Sequence, residues 1–492
     1  MAEEWTSSGE AAEIAGAAGA DLHLEVDTGG GRRAGLERAL REAVQGGRLA
    51  PGATLPSTRS LAAELGLSRG TVTAAYDQLA AEGYLVTRPG AATTVAGPAR
   101  APDAPGTVRP PAAVSRPRHD LRPNTPDPGA FPVRAWLRST RRVLTDRAAE
   151  VQELGDPQGH PALRAALADY LGRARGVRTT ADRIVITTGF HQSLGLLART
   201  LADAGTTAIA LEDPGHNGHR EAVLRAGLRV LPLPVDRHGA RVDTLASGGA
   251  GAVLVTPAHQ YPTGVPLHPA RRQALTAWAR GRDALVIEDD YDGEYRYDRQ
   301  PVGALQAIDP DRVVYCGSAS KTLGPGWRLA WMALPPHLVE PLVTAKFHAD
   351  VHTQTLSQLV LADVLARHDY DRHIRAGRLR YRRRRELLLR RLPPTLTVQG
   401  TPAGLYVLAT LPAGGPPEAA VLAECARHGV ALRGLSELRH GHAARTEGGS
   451  PEPHPADAAR PGGLLIGFAA PTDSAYPAAL TALSAALSHP LP

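Results

Sequence analysis

The chain has 492 residues, 43% hydrophobic and 21% charged, proportions of a globular protein with room for more than one core. No apolar run approaches the roughly 18 residues that cross a bilayer, and only two cysteines, Cys316 and Cys425, exclude a disulfide scaffold and argue against a thiolate metal site. A formal charge of +6 leans towards an acidic partner such as nucleic acid.

Residues 1–22 bring early glutamates and no basic stretch ahead of an apolar run. They read as a flexible tail and not as a secretion signal, which fits a reducing cytoplasm. Residues 23–96 read as three helices and a hairpin. "AGLERALREAVQGGRL" spaces Leu36, Leu40 and Val44 by four and stops at Gly46-Gly47. "PSTRSLAAELGL" starts at a Ser/Thr cap and ends at Gly66, and "SRGTVTAAYDQLAAEGYL" starts at Ser68 and lines up Val72, Ala75, Tyr76 and Leu79 on one face. "YLVTRPGAATTVA" predicts two short strands around a Pro-Gly turn.

Helix, turn, helix and hairpin in that order make a winged helix-turn-helix. A recognition helix needs a polar first turn that reaches base edges while the opposite face stays in the core. Ser68, Arg69, Thr71 and Thr73 form that outward set. Arg59 is placed for a phosphate or base contact, and Arg88 with the backbone of Gly90 lies at the wing tip. The alternative is the same fold used for protein interaction.

Residues 97–118, with six prolines, read as a semi-rigid linker. Beyond it, from 119 to 492, helical stretches separate apolar runs: "RIVITTG", "TAIALED", "AGAVLVTP", "DALVIEDD", "RVVYCGS" and "RLAWMALP". That alternation predicts an α/β unit on a parallel or mixed sheet. Ligands in such sheets bind beyond the carboxyl ends of strands, a rule that selects Gly189, His259–Gly264, Asp289–Tyr291 and Ser318–Lys321. The arginine run "RLRYRRRRELLLRRL" at 378–392 reads as an amphipathic helix with a solvated basic face, or as a second nucleic-acid surface. Residues 441–463 read as a long surface loop.

Of the 55 basic residues only Lys321 and Lys346 are lysines, and of the two side chains only lysine can lose a proton and attack a carbonyl. Lys346 stands in a helical stretch and reads as incidental. Lys321 follows a strand, between Ser318 and Ser320, with Arg328 seven residues on. Pyridoxal 5'-phosphate (PLP) requires an amine for a Schiff base, a carboxylate for the pyridine nitrogen, and donors for the phosphate. Asp289 ends a strand, Tyr291 is near enough to reach the phenolic oxygen, and Gly189-Phe190-His191 opens a helix able to hold an anion. Each piece alone is more often structural; together, in this order, they point to the cofactor.

"LPSTRSLAAELGLSRGTVTAAYDQLAAEGYLVTRPG" resembles the GntR family of bacterial regulators, in which Arg59, Ser68, Arg69, Thr71 and Gly90 fall on DNA-contacting positions. "GDPQGHPALRAALADYL", "TTGFHQSL", "EDPGH", "PAHQYPTGVPL", "IEDDYDGEYRY" and "SASKTLGPGWRLAWM" resemble fold-type I aminotransferases over residues 119–492. The whole therefore resembles a MocR/GabR-type regulator.

The resemblance implies that Lys321 forms the Schiff base, Asp289 pairs with the pyridinium, and Tyr291 lies at the ring oxygen. Phe190, His191, Ser318, Ser320 and Arg328 hold the phosphate, and a head-to-tail homodimer binds a double-stranded DNA operator. The chain departs from the aminotransferase pattern in three places. Tyr261 stands where an Asn precedes "PTG", His216 stands where a Tyr or Trp stacks on the ring, and Leu465 stands where an Arg binds the substrate carboxylate. Arg433 is a candidate substitute for that arginine. The expectation is a regulator sensing PLP, or an amine or amino-acid effector; the alternative is a working aminotransferase with an auxiliary head.

Overall fold

The computed structural model describes residues 26, 31–88, 90–97, 117–123, 125–298, 302–441 and 461–488. The expected tail 1–22, most of the linker 97–118 and most of the loop 441–463 lie outside the described residues. The chain divides into two compact units, Met1–Val114 and Ser115–Pro492.

In the first unit, α1 (Arg32–Gln45), α2 (Thr58–Leu65) and α3 (Arg69–Ala81) precede the antiparallel strands β1 (Leu85–Val86) and β2 (Thr94–Val95). The caps are those expected. Ser57 Oγ accepts from Ser60 N, Gly66 closes α2 in a left-handed conformation, and Ser68 Oγ accepts from Thr71 N. Leu36 and Leu40 from α1 meet Leu61, Val72, Ala75, Tyr76, Leu79 and the wing residues Leu85 and Val95 in one core. An ion pair from Arg41 to Glu82 at 2.8 Å ties α1 to the end of α3.

The second unit opens with β3 (His119–Asp120), α4 (Val133–Asp146), α5 (Ala148–Gln152) and α6 (Pro161–Arg175). The sheet segment follows as β4 (Ile184–Thr187), α7 (Phe190–Asp203), β5 (Ala208–Asp213), α8 (Asn217–Arg225), β6 (Arg229–Asp236), β7 (Gly239–Ala240), β8 (Ala252–Val255), α9 (Pro269–Arg282), β9 (Leu285–Asp289), β10 (Val313–Ser318) and β11 (Ala330–Ala333). Three helices, α10 (Pro336–Asp350), α11 (Thr355–Ala366) and α12 (Asp369–Leu389), lead to β12 (Thr397–Gln399), β13 (Tyr406–Thr410), α13 (Glu418–Arg427), β14 (Val430–Ala431), β15 (Arg433–Gly434), β16 (Gly463–Gly467) and α14 (Tyr476–Ser488).

All six apolar runs become strands of one sheet, ordered β4-β11-β10-β9-β8-β5-β6-β7. Strands β6, β5, β8, β9 and β10 run parallel, β11 is antiparallel to both its neighbours, and so β4 points the same way as β10. The carboxyl ends of β4, β5, β8, β9 and β10 therefore share one edge. Buried apolar layers cover both faces, as the unbroken burial of these strands requires.

A smaller antiparallel sheet, β12-β13-β16-β15, packs with α13 and α14. Helix α12 spans both cores, with Tyr370 and Ile374 in the first and Tyr381 and Leu388 in the second. Its arginines are largely solvated, as expected, with two differences. Leu387 is exposed, while Arg384 is buried, its guanidinium 2.8 Å from Asp127 and donating to the Ala469 and Pro471 carbonyls. No helix among the described residues is long and apolar enough to cross a membrane.

Candidate functional site

The turn after β4 makes the first wall. Gly189 takes φ 149°, and a Cβ there would lie 2.9 Å from the Arg328 guanidinium, so only glycine leaves room for that side chain against the start of α7. Backbone N–H groups at a helix start and a guanidinium above them form an anion cradle. Arg328 is itself held at φ 52°. The Ala319 N–H donates to the Leu329 carbonyl at 3.0 Å, closing the loop that carries both Lys321 and Arg328. His191 is exposed beside this turn; the Phe190 ring turns instead onto His219, centroids 4.8 Å apart. Phe190 thus reaches the cradle through its backbone alone.

Lys321 follows β10, with Ser318 and Ser320 half-buried on either side. Enclosure lowers its pKa from the ordinary lysine value, against the opposing pull of Asp292 and then Asp289. More of the amine is therefore unprotonated near neutral pH. Asp289 ends β9 and is register-paired with Cys316 on β10. Burial, then the neighbouring Asp290, Asp292 and Glu212, push its carboxyl well above the usual range, while Lys321 pulls it down.

A third cluster lies beside them. The Tyr291 hydroxyl is 3.1 Å from His259 Nδ1 and 3.3 Å from the Tyr406 hydroxyl, and His259 Nδ1 is 2.8 Å from Asp292 Oδ2. Gly404 (φ 70°) lays its backbone on that pair; a Cβ there would be 2.5 Å from Asp292 Oδ2. His216 caps α8, accepting from Gly218 N, and stacks on His219 at 4.5 Å with 23° between the rings. Enclosure first, then the charges of Arg433 and Lys321, bring the His216 pKa down to about 4, so the ring is neutral. Tyr261 packs with Tyr406, Leu408, Leu435, Leu438 and Leu465.

Leu465 is buried in that cluster and is register-paired on β16 with Arg433 of β15. Arg433 pairs with Glu437 at 3.3 Å and acts electrostatically on Tyr261 and His216, so a guanidinium lies near this wall, from the neighbouring strand.

Two members, Asp292 and His219, escaped the sequence reading, and His259 was selected there only for its place after a strand. Asp292 and His259 are a buried pair whose only signal was an acid directly after Tyr291 and a His after a strand. His219 lies one helical turn beyond His216. Lys346, expected to be incidental, is fully enclosed and ion-paired to Asp350 at 2.7 Å, and Asp350 accepts from Gln192 on α7.

In the first unit, Arg59, Ser68, Arg69, Thr73, Arg88 and Gly90 are exposed and Thr71 is half-buried. Ser68 and Thr71 share a hydroxyl contact at 2.8 Å within the cap, leaving Arg69 and Thr73 as the unencumbered outward pair of α3.

Comparisons with known proteins agree with this division. Residues 33–95 match the model of bacterial regulatory proteins of the gntR family, and residues 121–447 match that of aminotransferase class I and II. The probable rhizopine catabolism regulatory protein MocR of Rhizobium meliloti is 33% identical over 76% of this chain and 80% of its own. The HTH-type pyridoxine biosynthesis transcriptional regulator PdxR of Corynebacterium glutamicum is 35% identical over 72% and 77%. Among solved structures, LysN, the α-aminoadipate aminotransferase of Thermus thermophilus complexed with N-(5'-phosphopyridoxyl)-L-leucine, superposes with a TM-score of 0.63 at 24% identity, covering 75% of this chain and 91% of its own; that likeness carries the fold. The cofactor of such a domain is PLP, and the cradle at Gly189, the amine and the enclosed carboxyl fit it. The chain belongs to the MocR-type transcriptional regulators, a gntR-family DNA-binding unit fused to an aminotransferase class I and II domain.

Proposed function

We propose that this regulator holds PLP at Lys321 and changes its affinity for a double-stranded operator when PLP, or an amine or amino acid reacting there, occupies the site. One observation carries the reading: the amine of Lys321, the carboxyl of Asp289 and the Arg328–Gly189 cradle stand together on the carboxyl edge of one sheet. Bound PLP supplies an electrophilic aldehyde and an electron-withdrawing ring.

The chain's own residues do the rest. Lys321 presents an amine whose pKa enclosure lowers from the ordinary lysine value. Asp289, pushed towards its neutral form, gains a partner for its charge when it holds the proton on a pyridine nitrogen. Tyr291, fixed by His259 and Tyr406, would supply its hydroxyl to the ring oxygen. Arg328 and the start of α7, with Ser318 and Ser320, would hold the phosphate, and neutral His216 would be the residue to stack on the ring.

Leu465 removes the guanidinium fork that anchors an amino-acid carboxylate, which favours sensing over turnover. Arg433, partly exposed and paired with Glu437, offers a single replacement for holding an effector. In the first unit Arg59, Arg69, Thr73 and Arg88 face the DNA, with Ser68, Thr71 and Gly90 shaping the first turn and wing tip. The protein acts in the cytoplasm as a head-to-tail homodimer.

Absorbance titration with PLP, run in parallel with operator mobility shifts, tests both halves. The native protein gains a cofactor band that Lys321→Ala lacks, and PLP or an amine shifts operator affinity. A native protein with no band, or one whose DNA binding ignores every cofactor and amine, refutes the reading. Such a shift also requires that the ligand bind the two DNA-affinity states unequally.

A further inference from the structure

Lys346 is one of two lysines in the chain, and its side chain is 0% exposed. An enclosed ammonium is costly unless paired, and its partner is Asp350, the last residue of α10, with Nζ 2.7 Å from Oδ1. The pair does little for its own helix. Lysine placed four residues before an acid is the weaker order, and a carboxylate at a helix C-terminus opposes the dipole.

Its second oxygen explains the placement. Asp350 Oδ2 accepts from Gln192 Nε2 at 2.7 Å. Gln192 Oε1 accepts in turn from Thr188 N at 2.8 Å and Thr188 Oγ1 at 3.1 Å. Thr188 and Gly189 are the turn from β4 into α7, directly against the Arg328 guanidinium. Immediately after Asp350, Val351 is held at φ 61°, a conformation rare for a β-branched residue. Such a conformation persists where the surroundings over-determine the backbone.

We propose that Lys346 and Asp350 are positioning residues for the phosphate end of the cofactor site. Lys346 fixes the Asp350 carboxylate, Asp350 orients Gln192, and Gln192 clamps the Thr188–Phe190 turn so that its N–H groups and Arg328 face one anion. This rests on the reading of Gly189 and Arg328 as the phosphate cradle.

The test uses the full chain and two probes, PLP and pyridoxal, which lacks the phosphate; binding is read from the Lys321-dependent absorbance. Gln192→Ala and Lys346→Met each weaken PLP by about tenfold or more, the scale of a displaced binding group, and leave pyridoxal unchanged. The double variant is no weaker than the worse single, because both break one chain of contacts. Without cofactor, amide hydrogen exchange over residues 188–191 accelerates in both. A folded variant that binds PLP like the native protein overturns the proposal, as does equal loss of PLP and pyridoxal. If Lys346→Met does not fold, Gln192→Ala decides alone, since Gln192 is only half-buried. Arg328→Ala separates the two levels. If it too leaves PLP binding intact, the cradle reading fails; if it alone weakens PLP, only the Lys346 chain fails.

Discussion

Single side chains in this site are tuned by what surrounds them more than by their identity. Glu212 shows it clearly. Burial raises its carboxyl from the usual 4.5 to about 7, although Thr256 and Gln260 donate to it. The folded protein therefore keeps a proton that the unfolded chain releases between those values, so Glu212's contribution to stability falls as pH rises from about 5 through 7. Glu212→Gln should flatten the decline of Tm across that window, followed by thermal melts at closely spaced pH values. Lys321 shifts the other way: with its pKa lowered, the rate of PLP capture should level off at a lower pH than that of a free lysine side chain. Stopped-flow absorbance against pH reads this directly.

Secondary-structure elements were legible in proportion to how local their signals are. The winged unit announced itself because caps, four-residue spacing and a Pro-Gly turn lie within a few residues of the features they set. The six strand runs were equally plain, being bare apolar segments buried on both faces. Strand β6 was not, since Pro232 and Pro234 interrupt "RVLPLPVD"; it is tolerated beside the sheet edge, with only two-residue β7 beyond it. The C-terminal sheet was missed because β15 has two residues and finds its partner across the loop to β16.

The arginine run shows the same limit. Composition marks α12 as basic, but which arginine turns inward depends on Asp127, 257 residues away in sequence. Arg384→Met leaves that buried carboxylate with its main partner gone, and should cost about 3–5 kcal/mol in chemical denaturation followed by fluorescence. Arg383→Met, on the solvated face, should cost almost nothing.

At the scale of the whole molecule, the site was legible as a set of residues and illegible as a geometry. Lys321, Asp289, Tyr291 and Arg328 could be named from motifs, yet the proximity of Arg433 to the Leu465 wall follows only from strand register. The same holds for the His259–Asp292 pair under Tyr291. DNA recognition is a separate property of the first unit and can be tested separately. Arg69→Ala and Arg88→Ala should each weaken operator binding and, where the contact is to phosphate, reduce the slope of log K against log salt by about 1. Thr73→Ala should alter sequence preference with little change in slope. Competition binding at several salt concentrations distinguishes these outcomes.

The enclosure of Lys346 has a practical consequence for chemical labelling. With one lysine sealed and the other in the cofactor site, an amine-acylating reagent meets a single reactive side-chain amine in a 492-residue protein. Because that amine has a pKa lowered from the ordinary lysine value, it reacts at a lower pH than an ordinary lysine would. Acylation counted by mass spectrometry, apart from the terminal amine, should track the fraction of sites without cofactor one for one. PLP should protect completely, and Lys321→Ala should remove the label.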